Sequence, residues 1–501
     1  MDVFRWPRTH RSVGFILAFG IASLTWVLST PIEAGPDDPV HIQTAACALG
    51  ERPGTCDGLS PRTPEGEGAR ATVTFYTGEQ FRAALYLGEY PGGFHAVGGL
   101  VAGTDRYDSA LRMRLVNWAL LTGLLAWVLL TLPRRGHRAL MLALTVGSVP
   151  LGLFLFGTNN ASLWSVVAVP LYAAGLWGVL FSPRAPSRWW WGLAATAVAG
   201  LFSVWSRADA GAYVVAVTVL LVGWRLLTPG ATPSRGQRIG LLTVTGALSV
   251  MAIWLALRST QTAVLGTGFG DTGRPRTSGL LLDITSNVLG LYSGALGASG
   301  LGWFDIPMPA IVSVTMLAVC AGLLFFGLRP LQRGRAIAIA ILAALMIGLP
   351  ILLLWRAGQV PGEGVQPRYL LPLLTTLLVL VLLPETRHPV PLGRAQRWVV
   401  VGGVGFAATM AQWYVLRHHL FGADGGGVLL AIGGEERTWR TGYYLSGVGW
   451  QVPEGMLQWA PPVGTPLLLV LLGGATMVTA AIIAAGDQRA VASSGDQRAL
   501  K

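Results

Sequence analysis

Residues 139–181 read ALMLALTVGSVPLGLFLFGTNNASLWSVVAVPLYAAGLWGVLF, a stretch without one charged side chain. It divides at Gly157-Thr158-Asn159-Asn160, a turn by its composition. The two apolar runs that remain, about 139–156 and 162–181, approach the roughly 20 helical residues that a hydrocarbon core of about 30 Å requires. Arg134, Arg135 and Arg138 lie at the front of the first run, and Arg184 and Arg188 follow the second. Apolar runs joined by a short uncharged turn and bounded by arginine predict a helical hairpin across a membrane.

Extending the same reading in both directions predicts twelve spans. They lie at about 13–30, 115–132, 139–156, 162–181, 189–205, 210–226, 240–258, 310–328, 336–356, 369–384, 398–417 and 463–485. The whole composition agrees: of 501 residues, 52% are hydrophobic and only 12% charged, with a mean hydropathy of +0.55. An ordinary soluble chain carries about 25% charged residues. Nineteen Trp suit the aromatic belts at headgroup level. The net charge of +12 does not indicate nucleic acid, because the basic residues fall in short clusters between apolar runs.

Those clusters set the orientation. With Arg5, Arg8 and Arg11 cytoplasmic, counting spans places on the same side Arg134, Arg135, Arg138, Arg184, Arg188, Arg225, Arg235 and Arg238. Arg329, Arg333, Arg335, Arg387, Arg394, Arg397, Arg489, Arg498 and Lys501 follow. Twenty of the 36 basic residues thus occupy the short inner segments, against four of the 24 acidic ones, Asp2, Glu385, Asp487 and Asp496. The expectation is a multi-pass protein with both termini cytoplasmic. Its long connections, 31–114, 259–309, 357–368 and 418–462, then lie outside. The inner loops are too short for a nucleotide-binding domain and contain no Walker-type glycine loop, which argues against an ATP-driven pump. The first span reads as a retained anchor rather than a cleaved signal. The chain divides into an N-terminal module, 1–258, with the outer loop 31–114; a C-terminal module, 259–485, with outer loops 259–309 and 418–462; and a polar tail, 486–501, expected to be disordered.

The outer segments hold the reactive side chains. Pro36-Asp37-Asp38-Pro39-Val40-His41 places two carboxylates and an imidazole at the membrane surface, where charge is costly unless solvated, paired or used. A carboxylate there suits a general base, or equally an N-cap ahead of a proline-started helix. Val40–Leu49 suits an interfacial helix. Cys47 and Cys56 are close enough in sequence to form a disulfide in an oxidising compartment, or are two unrelated small residues. Tyr90-Pro91-Gly92-Gly93-Phe94-His95 reads as an interfacial turn, with Arg112 and Arg114 snorkelling to headgroups or reaching inward. Arg207-Ala208-Asp209 sits in a very short connection, as a local ion pair or as part of a site. Gly302-Trp303-Phe304-Asp305-Ile306-Pro307-Met308-Pro309 leads into the eighth span. Gln366-Pro367-Arg368-Tyr369-Leu370-Leu371-Pro372 opens the tenth, and a guanidinium fork at that depth suits phosphate.

In this order, these segments resemble the bacterial membrane proteins grouped as domain of unknown function 2142, a family similar to the GT-C superfamily of lipid-dependent glycosyltransferases. Pro36–His41 resembles the family's Pro-Asp-Glu-Pro-x-His, with Asp38 in place of Glu. Gly302–Pro309 resembles Gly-Trp-Leu-Asp-x-x-Leu-Pro, and Gln366–Pro372 resembles Gln-Gly-Arg-Tyr-x-x-Pro. Tyr90-Pro91-Gly92 corresponds loosely to a Tyr-Pro-Pro turn. Asn160 stands where the relatives' Asn-Pro-Asp turn has an acid.

The resemblance implies an all-α, GT-C-like membrane fold of about twelve spans with interfacial helices in the first outer loop. It implies an inverting transfer of sugar from a polyprenyl-phosphate-linked donor to an envelope glycan or lipid acceptor, on the outer face of a bacterial plasma membrane. Asp37, or failing it Asp38, would be the carboxylate base. His41, Tyr90, Arg207, Asp305, Gln366, Arg368 and Tyr369 would bind substrate, with Arg207, Arg368 and either Arg258 or Arg356 facing the leaving phosphate. No organic cofactor is implied, and a divalent metal stays open. The expected partners are the lipid-linked sugar, its acceptor and membrane lipids, with no nucleic acid. The competing readings are a transporter or flippase of lipid-linked glycans and a non-enzymatic envelope-assembly subunit. Few ionisable residues in mid-span argue against the transporter.

Overall fold

The computed structural model describes residues 8–32, 34–35, 37–49, 90–181, 186–228, 233–259, 274–302, 306–328, 331–363, 365–384, 392–421 and 466–486. Among these residues the protein is all-helical, with one isolated antiparallel bridge between Leu301 and Ile306. The helices are α1 Arg8–Ser29, α2 Asp38–Cys47, α3 Gly93–Val101, α4 Arg106–Thr131, α5 Arg134–Gly147 and α6 Leu151–Phe156. There follow α7 Ser162–Phe181, α8 Pro186–Ser206, α9 Ala208–Leu226, α10 Arg235–Arg258, α11 Ser278–Asn287 and α12 Gly290–Ala295. The last five are α13 Ala310–Gly327, α14 Arg333–Ala357, α15 Pro367–Leu382, α16 Arg394–Phe421 and α17 Pro466–Ala485.

The second run of the opening stretch becomes α7, and it lies at the centre. It is apolar on every face, so it must be covered on every face. Its best membrane-spanning window is completely buried, while that of α10 is only 17% buried. Around α7 stand α4, α5, α8, α9 and α15. On one flank α1 packs on α17, and α17 on α16. On the other, α10 and α14 pack on α9. One continuous hydrophobic core runs through helices from both ends of the chain, from Phe15 to Ala485. Lipid tails are as apolar as leucine, so such helices associate through close packing of small residues. At Gly175 an added Cβ would come within 2.5 Å of Thr196 Oγ1, which brings α7 and α8 close together.

Among the described residues, nine helices are long and apolar enough to cross a membrane: α1, α4, α7, α9, α10, α13, α14, α16 and α17. The other three expected spans are helical but differ in form. Run 139–156 is broken into α5 and α6, because Pro150 offers no N–H to continue the first helix. The α8 helix is 21 residues long, but its tryptophans and serines leave it less apolar. The α15 helix has 16 residues and counts as a shorter apolar helix. Segment 280–300 forms α11 and α12, of ten and six residues, too short to cross.

One expectation is corrected. The segment after Asp38 is helical, but α2 does not lie on a surface: all ten of its residues are buried. Its cover includes α3, whose glycines permit direct backbone contact. A Cβ on Gly99 would sit 2.6 Å from the carbonyl oxygen of Ala45.

Candidate functional site

Between the end of α1 and the start of α2, Asp37 takes a strained backbone conformation. With φ 62° and ψ 3° it is the one non-glycine residue in the left-handed region among the described residues. That conformation costs a residue with a Cβ on the order of 1–2 kcal/mol, less for Asp than for most, and persists where the surroundings over-determine it. Here the surroundings are an arginine. Arg114, projecting from α4 and completely buried, donates to the carbonyl oxygens of Thr30 at 2.7 Å and Pro31 at 2.9 Å. It also donates to Asp38 Oδ2 at 3.0 Å. Asp38 Oδ1 accepts the backbone N–H of Asn159 at 2.6 Å, tying the turn after α6 to the same carboxylate.

The two neighbouring carboxylates therefore have different fates. The Asp38 side chain is 0% exposed and engaged by Arg114 and Asn159, whereas that of Asp37 is 25% exposed. The expected cap is not formed. Asp38 is the first residue of α2, Asp37 holds the N-cap position, and no side-chain capping bond is made there. Pro39 lies in the first turn, where its missing N–H costs nothing.

Asp37 turns toward α15. Arg368, one residue into that helix and buried, donates from Nη2 to Asp37 Oδ2 at 2.6 Å and to the hydroxyl of its neighbour Tyr369 at 3.2 Å. Arg207, the N-cap residue of α9, is also buried and grips Asp209 through two bonds of 2.9 and 3.2 Å. Both guanidinium groups lie over the ring of Tyr369, Arg207 at 4.1 Å and Arg368 at 5.2 Å from its centroid. Tyr90 closes another side, with its hydroxyl 3.5 Å from Arg207 Nη1 and its ring 5.5 Å from the guanidinium carbon. Burial pushes the Tyr90 phenol above its ordinary pKa, which keeps it a donor. Tyr213 of α9 fixes the start of α15 by donating to the Tyr369 carbonyl at 3.0 Å.

Behind Tyr90 lie two buried histidines. His41 Nδ1 and His95 Nε2 are 2.9 Å apart, so one nitrogen carries the proton and the other accepts it. The rings stack at 5.2 Å, and Tyr90 meets both edge-on. Burial pushes His95 down to about 3. His41 is also held well below its ordinary value, by burial first and then by His95, Arg368 and Arg207.

The structure thus brings Asp37, Asp38, His41, Tyr90, Arg207, Arg368 and Tyr369 to one end of the bundle. His41, expected among the substrate-binding residues, pairs with His95. Gln366 stands at the N-cap of α15, its Oε1 buried and without a hydrogen-bond partner among the described residues. Arg258 sits over Trp254, and the Arg356 carbonyl receives Arg276, so neither is seen joining the cluster. Cys47 is disulfide-bonded and Cys320 is free. Asp305 and Cys56 lie outside the described residues, as do the centre of loop 31–114, residues 422–465 and the tail from 487. No group of three or more metal-ligating side chains occurs among the described residues.

Arg114, His95 and Asn159 are the residues that sequence reasoning placed too low. Arg112 is exposed beside Asp108, as a surface arginine should be, but Arg114 is interior. The available signal was its position against an otherwise apolar run, where an ionised side chain needs a partner.

Neither a curated protein nor a solved structure matches the chain. A family model described as predicted membrane protein does, over residues 19–377, a range that holds the carboxylate turn at its start and Arg368 near its end. The chain therefore belongs to the DUF2142 family of membrane proteins.

Proposed function

We propose that this protein is a glycosyltransferase that takes a sugar from a polyprenyl-phosphate-linked donor and passes it to an envelope glycan or lipid on the outer membrane face. The observation that supports this reading is the contrast between Asp38, buried and committed, and Asp37, partly exposed and 2.6 Å from a buried arginine. A second arginine shares the same tyrosine.

Asp37 accepts the proton of an acceptor hydroxyl as that oxygen bonds to the anomeric carbon. The bond from that carbon to the phosphate oxygen breaks on the opposite side, its electron pair leaves on the phosphate, and configuration inverts. Arg368 links the two events. While Asp37 is ionised it balances Arg368, and once protonated it leaves that cation uncompensated as negative charge grows on the leaving phosphate. Charge-assisted hydrogen bonds from a fixed fork are strongest in this low-dielectric setting. Arg207 supplies a second fork. Tyr90 and Tyr369 hold the guanidinium planes by cation–π contact, worth about 0.5–2 kcal/mol each. The apolar helices would accommodate the polyprenyl tail.

The test is transfer of labelled sugar by purified protein in lipid nanodiscs. General-base catalysis contributes about 100- to 10,000-fold, so Asp37→Asn should lose transfer in that range while its yield is maintained. Full transfer by Asp37→Asn would remove the base assignment. Absence of transfer by the wild type across lipid-linked sugars would turn the reading toward transport of those lipids.

A further inference from the structure

We infer that Arg114 is the positioning residue of the site: through Asp38 and the end of α1 it fixes the backbone of residue 37 so that this side chain meets Arg368. The relevance to sugar transfer rests on Asp37 being the base, but the geometry stands without it.

Residue 37 is strained, and something must hold it. Arg114 holds both sides at once. Upstream, its Nη1 takes Thr30 O at 2.7 Å and its Nη2 takes Pro31 O at 2.9 Å. Those carbonyls sit where α1 has ended and its last acceptors lack helical partners. Downstream, Nη2 takes Asp38 Oδ2 at 3.0 Å, and Asn159 N–H takes the other oxygen of that carboxylate at 2.6 Å. Thr30 and Pro31 on one side and Asp38 on the other are thus held by one planar group. The spacing between the two sides is set by the guanidinium fork. At Gly35, between them, the chain lies so close to Thr158 that an added Cβ would come within 2.5 Å of its methyl group, so the loop has little room to shift. Both members of the buried pair are fully enclosed, and the carboxylate beside them points the other way, to Arg368. A lysine in place of Arg114 would keep the charge but lose the rigid fork that spans three acceptors.

The experiment uses residue 37 itself as reporter, in the full-length protein. In Asp37→Cys the thiol stands where the carboxylate met Arg368. A cysteine beside an arginine ionises below its free value of about 8.5. The rate of reaction with a neutral disulfide reagent, dithiodipyridine, followed against pH, reads that ionisation. Cys320 is buried and Cys47 is already disulfide-bonded, so neither competes. The midpoint expected for Asp37→Cys is below about 7.5. In Asp37→Cys with Arg114→Lys, residue 37 relaxes away from Arg368 and the midpoint returns toward about 8.5. A variant that merely lost stability would keep the low midpoint in its folded fraction.

If Arg114→Lys does not yield folded protein, Asp38→Asn is read in the same way. It retains an acceptor for Asn159 but removes the charge that Arg114 grips. Equal low midpoints with and without Arg114 overturn the inference, and so does a midpoint near 8.5 in Asp37→Cys alone, since residue 37 would then not be held against Arg368. Labelling requires no turnover. A failure of the transferase reading therefore leaves this result standing, and a failure here leaves the transfer assay to be judged separately.

Discussion

At the scale of single residues, His41 and His95 show how burial sets a pH response. Each is nearly inaccessible, and each is held below the ordinary histidine value. Above about pH 6.5 both are neutral in the folded and the unfolded chain and cost nothing. As pH falls below that value the unfolded chain takes up protons that the folded pair refuses. Stability is therefore lost progressively until the folded groups titrate, at about 3 for His95. The slope approaches about 1.4 kcal/mol per pH unit for each histidine. We expect the melting temperature in detergent to fall between pH 7 and pH 5, and to fall less in His95→Gln. An unchanged slope in that variant would remove the pair as its cause. The sequence placed His41 and Tyr90 in the same outer segment, 31–114, and the family resemblance assigned both to substrate binding. It did not show that His95, one turn into a glycine-rich helix, would meet His41, since nothing local encodes a contact across 54 positions.

Elements are held at their ends by arginine, and here the sequence carried more than topology. The clusters read as inward charge also supply donors to helix C-termini, whose last carbonyls have no partner within the helix. Arg335 of α14 donates to Leu380 at 3.0 Å and to Val381, at the end of α15. Arg225 of α9 donates to Leu180 at 3.2 Å and Arg135 of α5 to Phe181, both at the end of α7. Arg138 reaches Ala485 at 3.2 Å, where α17 ends. Hydrogen bonds from charged donors contribute about 1.5–3 kcal/mol, and a cation at this helix end is further favoured by the macrodipole. Arg335→Gln should therefore lower stability by about 2 kcal/mol, seen as a lower unfolding midpoint, while the exposed Arg188→Gln changes it little. Equal effects would mean that net charge, not capping, is what these residues provide. Helix existence was legible because twenty apolar residues in a row have few alternatives. Helix form was less so: Pro150 divides one expected span, and the enclosure of α2 depends on glycines of another element.

Across the whole molecule, the candidate site is assembled from parts that no single segment contains. Asp37 follows the first helix, Arg207 begins α9 and Arg368 begins α15, and the ion pair between the first and the last spans 331 positions. What made them legible as a set is that each lies at the end of an apolar run, and that alternate ends were expected on one side of the membrane. What was not legible is which arginine meets which acid. Arg207 and Asp209, two residues apart, are the exception; spacing offers no means to assign Asp37 to Arg368 or Asp38 to Arg114, since those pairings depend on packing around α7. The consequence is that, among the described residues, Arg114, Arg207 and Arg368 each grip an acid, and a phosphate must compete with that acid for the guanidinium. The measurement that tests this most directly is the affinity of purified protein in nanodiscs for polyprenyl phosphate, compared with Arg207→Gln/Arg368→Gln of matched thermal stability. Loss of two charge-assisted forks should weaken binding by about 100-fold or more. Equal affinity of the two proteins would contradict the assignment of this cluster as the lipid-phosphate site.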